Sequence, residues 1–109
     1  MSTAPKSEIL CISALAAYQT GAVVSRQVTK AEGGNVTLFA FDAGQELSDH
    51  TAPYDALVHV LDGEAEISIS GKPYLLKTGE GIIMPANTPH AVLAKKRFKM
   101  LLTMIRANH

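Results

Sequence analysis

Apolar and polar residues alternate over short runs through most of the chain, and turn residues separate the runs. The runs AVVSRQVTK (22–30) and NVTLFAFDA (35–43) flank Glu32-Gly33-Gly34. Two adjacent glycines permit a tight reversal of the backbone, so this spacing predicts a β-hairpin. Runs of this length are typical of strands, and there is almost no helical periodicity.

The strongest turn signal is Asp62-Gly63, which separates ALVHVL (56–61) from EAEISIS (64–70). An Asp-Gly pair between two apolar runs predicts a second hairpin. After the turn, apolar residues alternate with Glu or Ser, which indicates one buried face and one face in water. The apolar set is Ala65, Ile67 and Ile69.

Four further runs follow, with turns predicted at 71–73 and 78–81. The runs are YLLK, IIMP, AVLA and FKMLLTMIR. The last run is apolar at both alternating sets of positions, so we expect its strand to be covered on both faces. One set is Met100, Leu102 and Met104, and the other is Leu101 and Ile105. Many short strands with regular turns, without a repeat or linker, predict an all-β antiparallel barrel or sandwich.

Length and charge exclude several classes of protein. A chain of 109 residues with 47% hydrophobic residues is sufficient for one domain with its own core. Ten basic and ten acidic residues give a net charge of zero, so the field that attracts nucleic acid or an anionic membrane is missing. No apolar stretch is long enough to cross a membrane, and the single cysteine, Cys11, favours a reducing compartment. We therefore predict a cytoplasmic protein without a nucleic-acid or membrane partner.

The N-terminal segment, residues 1–20, precedes a predicted barrel domain at 21–109. Its apolar run ILCISALAA follows Lys6, as in a secretory signal, but Glu8 interrupts the charged region and the run is short. We expect instead a short helix or turn that packs on the barrel. The side chains expected to make this contact are Ile9, Ile12 and Leu15.

The spacing of glycine and histidine around residue 50 follows a known pattern. Gly44, His50 and Gly63 keep the intervals of G-x5-H-x-H-x(3,4)-E-x6-G, the first motif of the small single-domain cupins. Ala52 stands in place of the second histidine of that motif, and Ala56 stands in place of its glutamate. The two glycines and the first histidine of the motif are therefore present. Alanine methyl groups replace the side chains of its second histidine and its glutamate.

The second cupin motif, G-x5-P-x-G-x2-H-x3-N, is matched in the same partial way. Gly79, Pro85 and His90 fit its spacing, while Asn87 replaces the glycine and Ala94 the asparagine. The chain thus resembles a small cupin over roughly residues 20 to 106. The resemblance implies a double-stranded β-helix, or jelly-roll barrel.

In cupins, the resemblance implies, three histidines and a glutamate from the two motifs point into the barrel and hold a divalent metal. His50 and His90 retain two of those positions. Two imidazoles bind a late transition metal weakly, because a firm site generally has at least three protein ligands. Asp55 would supply a third ligand if the loop shifted by one residue. In this hypothesis the metal is Zn, Fe, Mn or Ni. In the alternative hypothesis the protein binds no metal.

The preferred functional hypothesis is a barrel that binds a small molecule, with His50 and His90 as polar anchors in an apolar cavity. The expected ligand-binding residues are His50, His90, Tyr54, Val58 and Met84. The two histidines would bond to each other, to Tyr54 or to a backbone carbonyl. His59, in contrast, is expected on the opposite face of its strand from Ala56.

Two other hypotheses stay open. One is a metal-dependent enzyme of the dioxygenase or isomerase kind, in which His50, His90 and Asp55 bind the metal. The other is a structural or regulatory module. Small cupins are typically homodimers, the resemblance implies, and the apolar strands near the N-terminus offer surface for a partner's sheet under any of these functions.

Overall fold

The structure, a computed structural model, describes residues 3–107. Within this range it forms nine strands and a single turn of 3₁₀ helix, Ile12–Ala14. The strands are β1 (Val23–Ala31), β2 (Gly34–Phe41), β3 (Glu46–His50), β4 (Tyr54–Asp62), β5 (Glu64–Ile69), β6 (Lys72–Lys77), β7 (Gly81–Met84), β8 (His90–Leu93) and β9 (Phe98–Arg106). No helix within residues 3–107 is long and apolar enough to span a membrane.

The strands form two antiparallel sheets that pack face to face. The five-stranded sheet has the order β1-β2-β9-β4-β7, and the four-stranded sheet has the order β3-β8-β5-β6. Inner-face side chains of both sheets form one core, which includes Phe41, Val58, Ile67 and Phe98. The rings of Phe41 and Phe98 stack with their centroids 4.6 Å apart. The prediction of an all-β jelly-roll barrel is confirmed.

The two glycine-based hairpin predictions have different outcomes. β1 and β2 pair around Glu32-Gly33, as predicted, with Ala31 opposite Gly34. The hairpin predicted at Asp62-Gly63 is wrong, because β4 and β5 belong to different sheets. Gly63 has a φ of +79°, and a Cβ there would collide with the carbonyl oxygen of Arg97. The Asp-Gly pair therefore makes a corner where the chain crosses between sheets, close to the backbone that begins β9.

The last strand is covered on both faces only over its first half. On the inner face Met100 is buried, and on the outer face Leu101 packs beneath the N-terminal segment. Further along, Ile105 is 60% exposed, so the expectation that it is covered is wrong for the described chain. The reason is that the N-terminal segment reaches only part of this face.

The N-terminal segment crosses the outer face of the five-stranded sheet. Ala16 is buried against Leu38 and Ala40, and Leu15 packs on the same cluster as expected. The expectation was wrong for Ile9, which is 103% exposed, and for Ile12, which is also exposed. The segment approaches the sheet through small alanines, so its backbone lies close and its larger isoleucines point away.

Candidate functional site

The two motif histidines lie directly opposite each other on neighbouring strands. His50 ends β3 and His90 begins β8, and the two residues are partners in the antiparallel ladder. The register of this ladder shifts between Leu47 and His50. Leu47 packs into the core. Strict alternation would place His50 on the other face, so the bulge returns its ring to the inner face beside His90.

The ring nitrogens of the pair have defined partners. The Nε2 atoms of His50 and His90 are 3.1 Å apart. Nδ1 of His50 lies 2.8 Å from the carbonyl oxygen of Ser48, and Nδ1 of His90 lies 3.2 Å from that of Thr88. A carbonyl oxygen only accepts hydrogen bonds, so each Nδ1 carries a proton and donates it. Both Nε2 atoms therefore direct a lone pair at each other, and one proton or cation between them makes the contact attractive.

The two rings differ in exposure, and burial affects the protonation of His90. His90 is 7% exposed, whereas His50 is exposed to solvent. Burial lowers the pKa of His90, and the nearby charge of His50 lowers it further, against opposing effects of the Thr88 carbonyl and Asp49. These effects together favour the neutral form of His90.

Apolar side chains fill the barrel next to the pair. Ile69 is the partner of His90 on β5 and packs against the core. On the other sheet Ala56 lies between Met84 and Met104 in one row across the strands. The predicted ligand-binding residues Val58 and Met84 are 0% and 2% exposed. Both side chains are therefore packed in the core.

Two polar residues of β2, Asn35 and Thr37, share the inner face with Phe39. The Thr37 hydroxyl donates to the Asn35 side-chain oxygen at 3.3 Å, and the contact is partly buried. Asn35 pairs with Met104, which also pairs with Ala56, so these polar groups belong to the row of the barrel that includes Ala56.

Asn35 and Thr37 were missed in the sequence because both faces of β2 carry apolar residues. The alternation that groups them with Phe39 and Phe41 is visible. However, Val36, Leu38 and Ala40 form an equally apolar set on the other face. The alternation alone therefore does not identify the inner face.

Tyr54 and Asp55, at the start of β4, point to different sides. Tyr54 is half-buried on the side of Ala56, with the guanidinium of Arg106 5.7 Å from its ring centroid. Asp55 is exposed, and its carboxylate accepts a hydrogen bond from the backbone N–H of Ala86 at 2.9 Å. The structure therefore does not bring Asp55 to the histidine pair. The carboxylate instead tethers the loop that leads to His90. His59 is exposed on the face opposite Ala56, as expected.

The donor set falls short of a closed metal site. The Nε2 separation of 3.1 Å suits two adjacent ligands of one ion with bonds of about 2.0–2.1 Å. Within residues 3–107, however, no group of three or more His, Cys, Asp or Glu side chains converges on one point. The residues present do not fit the three-ligand or four-ligand site that the resemblance implies.

The sequence itself decides the family. Residues 37–105, more than half of the chain, match the family profile described as Cupin domain. This protein is a cupin. His50 and His90 are therefore its cupin motif histidines. Its two sheets are the two walls of a cupin barrel.

Solved structures agree with this assignment. A conserved protein of unknown function from Streptococcus pyogenes is 32% identical, with a TM-score of 0.89 over 100% of this chain and 98% of its own. A cupin 2 conserved barrel domain protein from Leptotrichia buccalis is 43% identical, with a TM-score of 0.81. The match covers 83% of this cupin but only 44% of the Leptotrichia chain.

A cupin superfamily protein from Desulfitobacterium hafniense is 26% identical, with a TM-score of 0.88 over 97% of both chains. Among curated proteins, none matches this cupin. The relatives therefore establish the family and the fold.

Proposed function

We propose that this cupin binds a small, weakly acidic and otherwise apolar molecule at the mouth of its barrel, with His50 and His90 as the polar anchors. The observation that carries the proposal is the contact between the two Nε2 atoms at 3.1 Å, with each Nδ1 held by a carbonyl. Both rings are fixed before a ligand arrives, so little conformational freedom is lost on binding.

The chemistry of the pair favours an acid. At pH 7 such a ligand arrives as a carboxylate. An imidazole that takes up a proton from solvent at Nε2 donates a charge-assisted hydrogen bond to this carboxylate in place of the contact with the facing ring. A neutral amide or alcohol has no negative charge to stabilise the protonated ring. The anchor therefore favours an acidic group over a neutral isostere.

The surroundings favour an apolar remainder. Ile69, Met104 and Ala56 contribute hydrocarbon surface to the inner face near this end of the barrel. Ala52 and Ala56 occupy the positions where the family motif has a histidine and a glutamate, so the site has lost charge and gained room. Asn35 and Thr37, on the opposite sheet, offer a second polar contact for a ligand that carries a hydroxyl or carbonyl group.

A thermal-shift series tests the proposal. Straight-chain monocarboxylates from acetate to octanoate are compared with the corresponding amides at pH 7. We expect the acids to raise Tm more than the amides do, with a gain that grows with chain length. His50→Ala removes one anchor and should abolish the gain. His59→Ala is the matched control, because His59 is an exposed histidine on the outer face. Equal gains in the wild type and His50→Ala, or an equal loss in His59→Ala, contradict the proposal.

A second candidate function is a metal-dependent enzyme of the dioxygenase or isomerase kind. The Nε2 separation favours it, since two adjacent ligands of Zn, Fe, Mn or Ni would have this spacing. The missing third donor within the described residues argues against it. Elemental analysis of protein purified without a histidine tag distinguishes the two. Near-stoichiometric metal that is lost in His90→Ala supports the enzyme.

A further inference from the structure

Two loops adjoin the histidine pair in sequence, and these loops are bonded to each other. We call residues 51–53 the β3–β4 loop and residues 85–89 the β7–β8 loop. Each loop connects a strand of one sheet to a strand of the other. The backbone N–H of Asn87 donates to the carbonyl oxygen of Ala52 at 2.8 Å. The two crossings between the sheets are therefore attached to each other next to the site.

Asp55 adds a second bond between the same segments. Its Oδ1 accepts a hydrogen bond from the backbone N–H of Ala86 at 2.9 Å. An ionised acceptor makes such a bond stronger than one between neutral groups. Two successive N–H groups of the β7–β8 loop, those of Ala86 and Asn87, are thus both bonded to residues 52–55.

The other end of the β7–β8 loop is attached to the four-stranded sheet. The carbonyl oxygen of Pro89 accepts a hydrogen bond at 2.8 Å from the N–H of Ser70, the residue after β5. Between these attachments Asn87 has a φ of +60°, a left-handed conformation that asparagine tolerates better than most residues. The rings of Pro85 and Pro89 fix their own φ at about −65°. The loop is therefore held at both ends and restricted between them.

Thr88 lies between these attachments and contacts the site through its main chain. Its carbonyl oxygen accepts the hydrogen bond from Nδ1 of His90 at 3.2 Å. The hydrogen bond made by one ring nitrogen determines which nitrogen of a neutral imidazole carries the proton. The Thr88 carbonyl thus leaves the lone pair on Nε2 of His90, which lies 3.1 Å from Nε2 of His50. A displaced carbonyl would no longer select this tautomer.

We propose that Asp55 is a positioning residue of the histidine site. By holding Ala86 it keeps the Thr88 carbonyl at hydrogen-bonding distance from His90, and so fixes the tautomer and the orientation of that ring. Asp55 acts through the backbone of the loop, because its own carboxylate is bonded to Ala86 and does not reach the pair. The effect on ligand affinity rests on the proposed function, whereas the tautomer of the free protein depends only on these hydrogen bonds.

The chain contains a matched control bond of the same kind. Oε1 of Glu80 accepts a hydrogen bond from the backbone N–H of Lys77 at 2.8 Å. Glu80 precedes Gly81, which lies at the opposite end of β7 from Met84, the ladder partner of Ala56. Loss of the Glu80 contact should therefore loosen a turn without affecting His90.

Nitrogen NMR of the imidazole rings tests the proposal in the ligand-free protein at pH 8, where an imidazole is neutral. In Asp55→Ala we expect the Nδ1 resonance of His90 to move toward that of an unprotonated nitrogen. Asp55→Asn retains a side-chain oxygen as acceptor and should stay close to the wild type, and so should Glu80→Ala. Asp55 is exposed, so loss of folding is not expected. If Asp55→Ala does not fold, Asp55→Glu displaces the carboxylate by one methylene and gives the same comparison.

Octanoate binding by the same variants relates the tautomer to affinity. We expect the octanoate Kd at pH 7 to rise about tenfold in Asp55→Ala, as for the loss of a hydrogen bond that orients a ligand-binding histidine. It should change little in Asp55→Asn, which removes the same charge, and in Glu80→Ala.

Three outcomes overturn the proposal. One is a His90 in Asp55→Ala that is protonated at Nδ1 as in the wild type. Another is a change of the same size in Asp55→Asn or Glu80→Ala as in Asp55→Ala. The third is an octanoate Kd that is equal in Asp55→Ala and the wild type. An altered His90 tautomer in Asp55→Ala, together with a wild type that does not bind octanoate, supports the positioning role and contradicts the proposed function instead.

Discussion

At the scale of single residues, the properties of the site depend on where protons lie on the histidine pair. Burial and the charge of His50 hold the pKa of His90 below its ordinary value, so the folded state takes up a proton on His90 less readily than the unfolded chain. The contribution of His90 to stability is therefore complete above pH 6.5 and declines as the pH falls below that value.

His90→Gln should remove that decline. We expect the Tm of the wild type to fall more steeply than that of His90→Gln between pH 7 and pH 5, measured by differential scanning calorimetry. Identical slopes for the two proteins would show that His90 does not titrate differently in the folded and unfolded states.

The residues of the site were predictable only in part. The motif spacing identified His50 and His90, and the structure brings their rings into contact. Asp55 was expected near them, but strand alternation turns it outward to Ala86. Asn35 and Thr37 were not identified, because the inner face of β2 is determined by the opposing sheet and by the N-terminal segment, and neither can be predicted from the residues of β2 alone.

At the scale of elements, glycines adjust the paths of the strands. Gly63 and Gly44 both have positive φ, at +79° and +86°. A Cβ on Gly63 would meet the backbone of Arg97, whereas nothing lies within 4 Å of a Cβ on Gly44. The cost of Gly44→Ala should be the local backbone strain of about 1–2 kcal/mol. Gly63→Ala adds a collision with main chain and should cost more than about 3 kcal/mol.

Urea unfolding of the two variants measures this difference. Equal losses for Gly63→Ala and Gly44→Ala would mean that the corner between the sheets is looser than the structure describes.

The strands themselves were predicted from the apolar runs, but the partner of β5 was not. An Asp-Gly pair is compatible with a hairpin and with a corner, and only the approach of residues 97–98 selects the corner.

At the scale of the whole molecule, the barrel retains a geometry whose chemistry can be restored. Ala52 and Ala56 stand at the positions of the missing motif ligands, and Ala56 is buried on the inner face. Ala52→His combined with Ala56→Glu should destabilise the metal-free barrel, since a carboxylate is placed in an apolar interior. Zn²⁺ or Ni²⁺ should then raise Tm far more in this variant than in the wild type.

Equal metal-dependent shifts in the double variant and the wild type would contradict this prediction. Ala52→Ser with Ala56→Ser is a suitable control, because it adds polarity at both positions without strong metal ligands.

The family fold was recognisable from the spacing of glycine, proline and histidine. The function was not recognisable, because alanines occupy two of the ligand positions of the motif.

The most direct test of the histidine anchor is nitrogen NMR of the imidazole rings with and without octanoate at pH 7. We expect His50 and His90 to be protonated at Nδ1 in the free protein. We also expect octanoate to shift both of their Nε2 resonances and to leave those of His59 unchanged. Protonation at Nε2 with a bare Nδ1, or an octanoate response no larger at His50 and His90 than at His59, would contradict the histidine anchor.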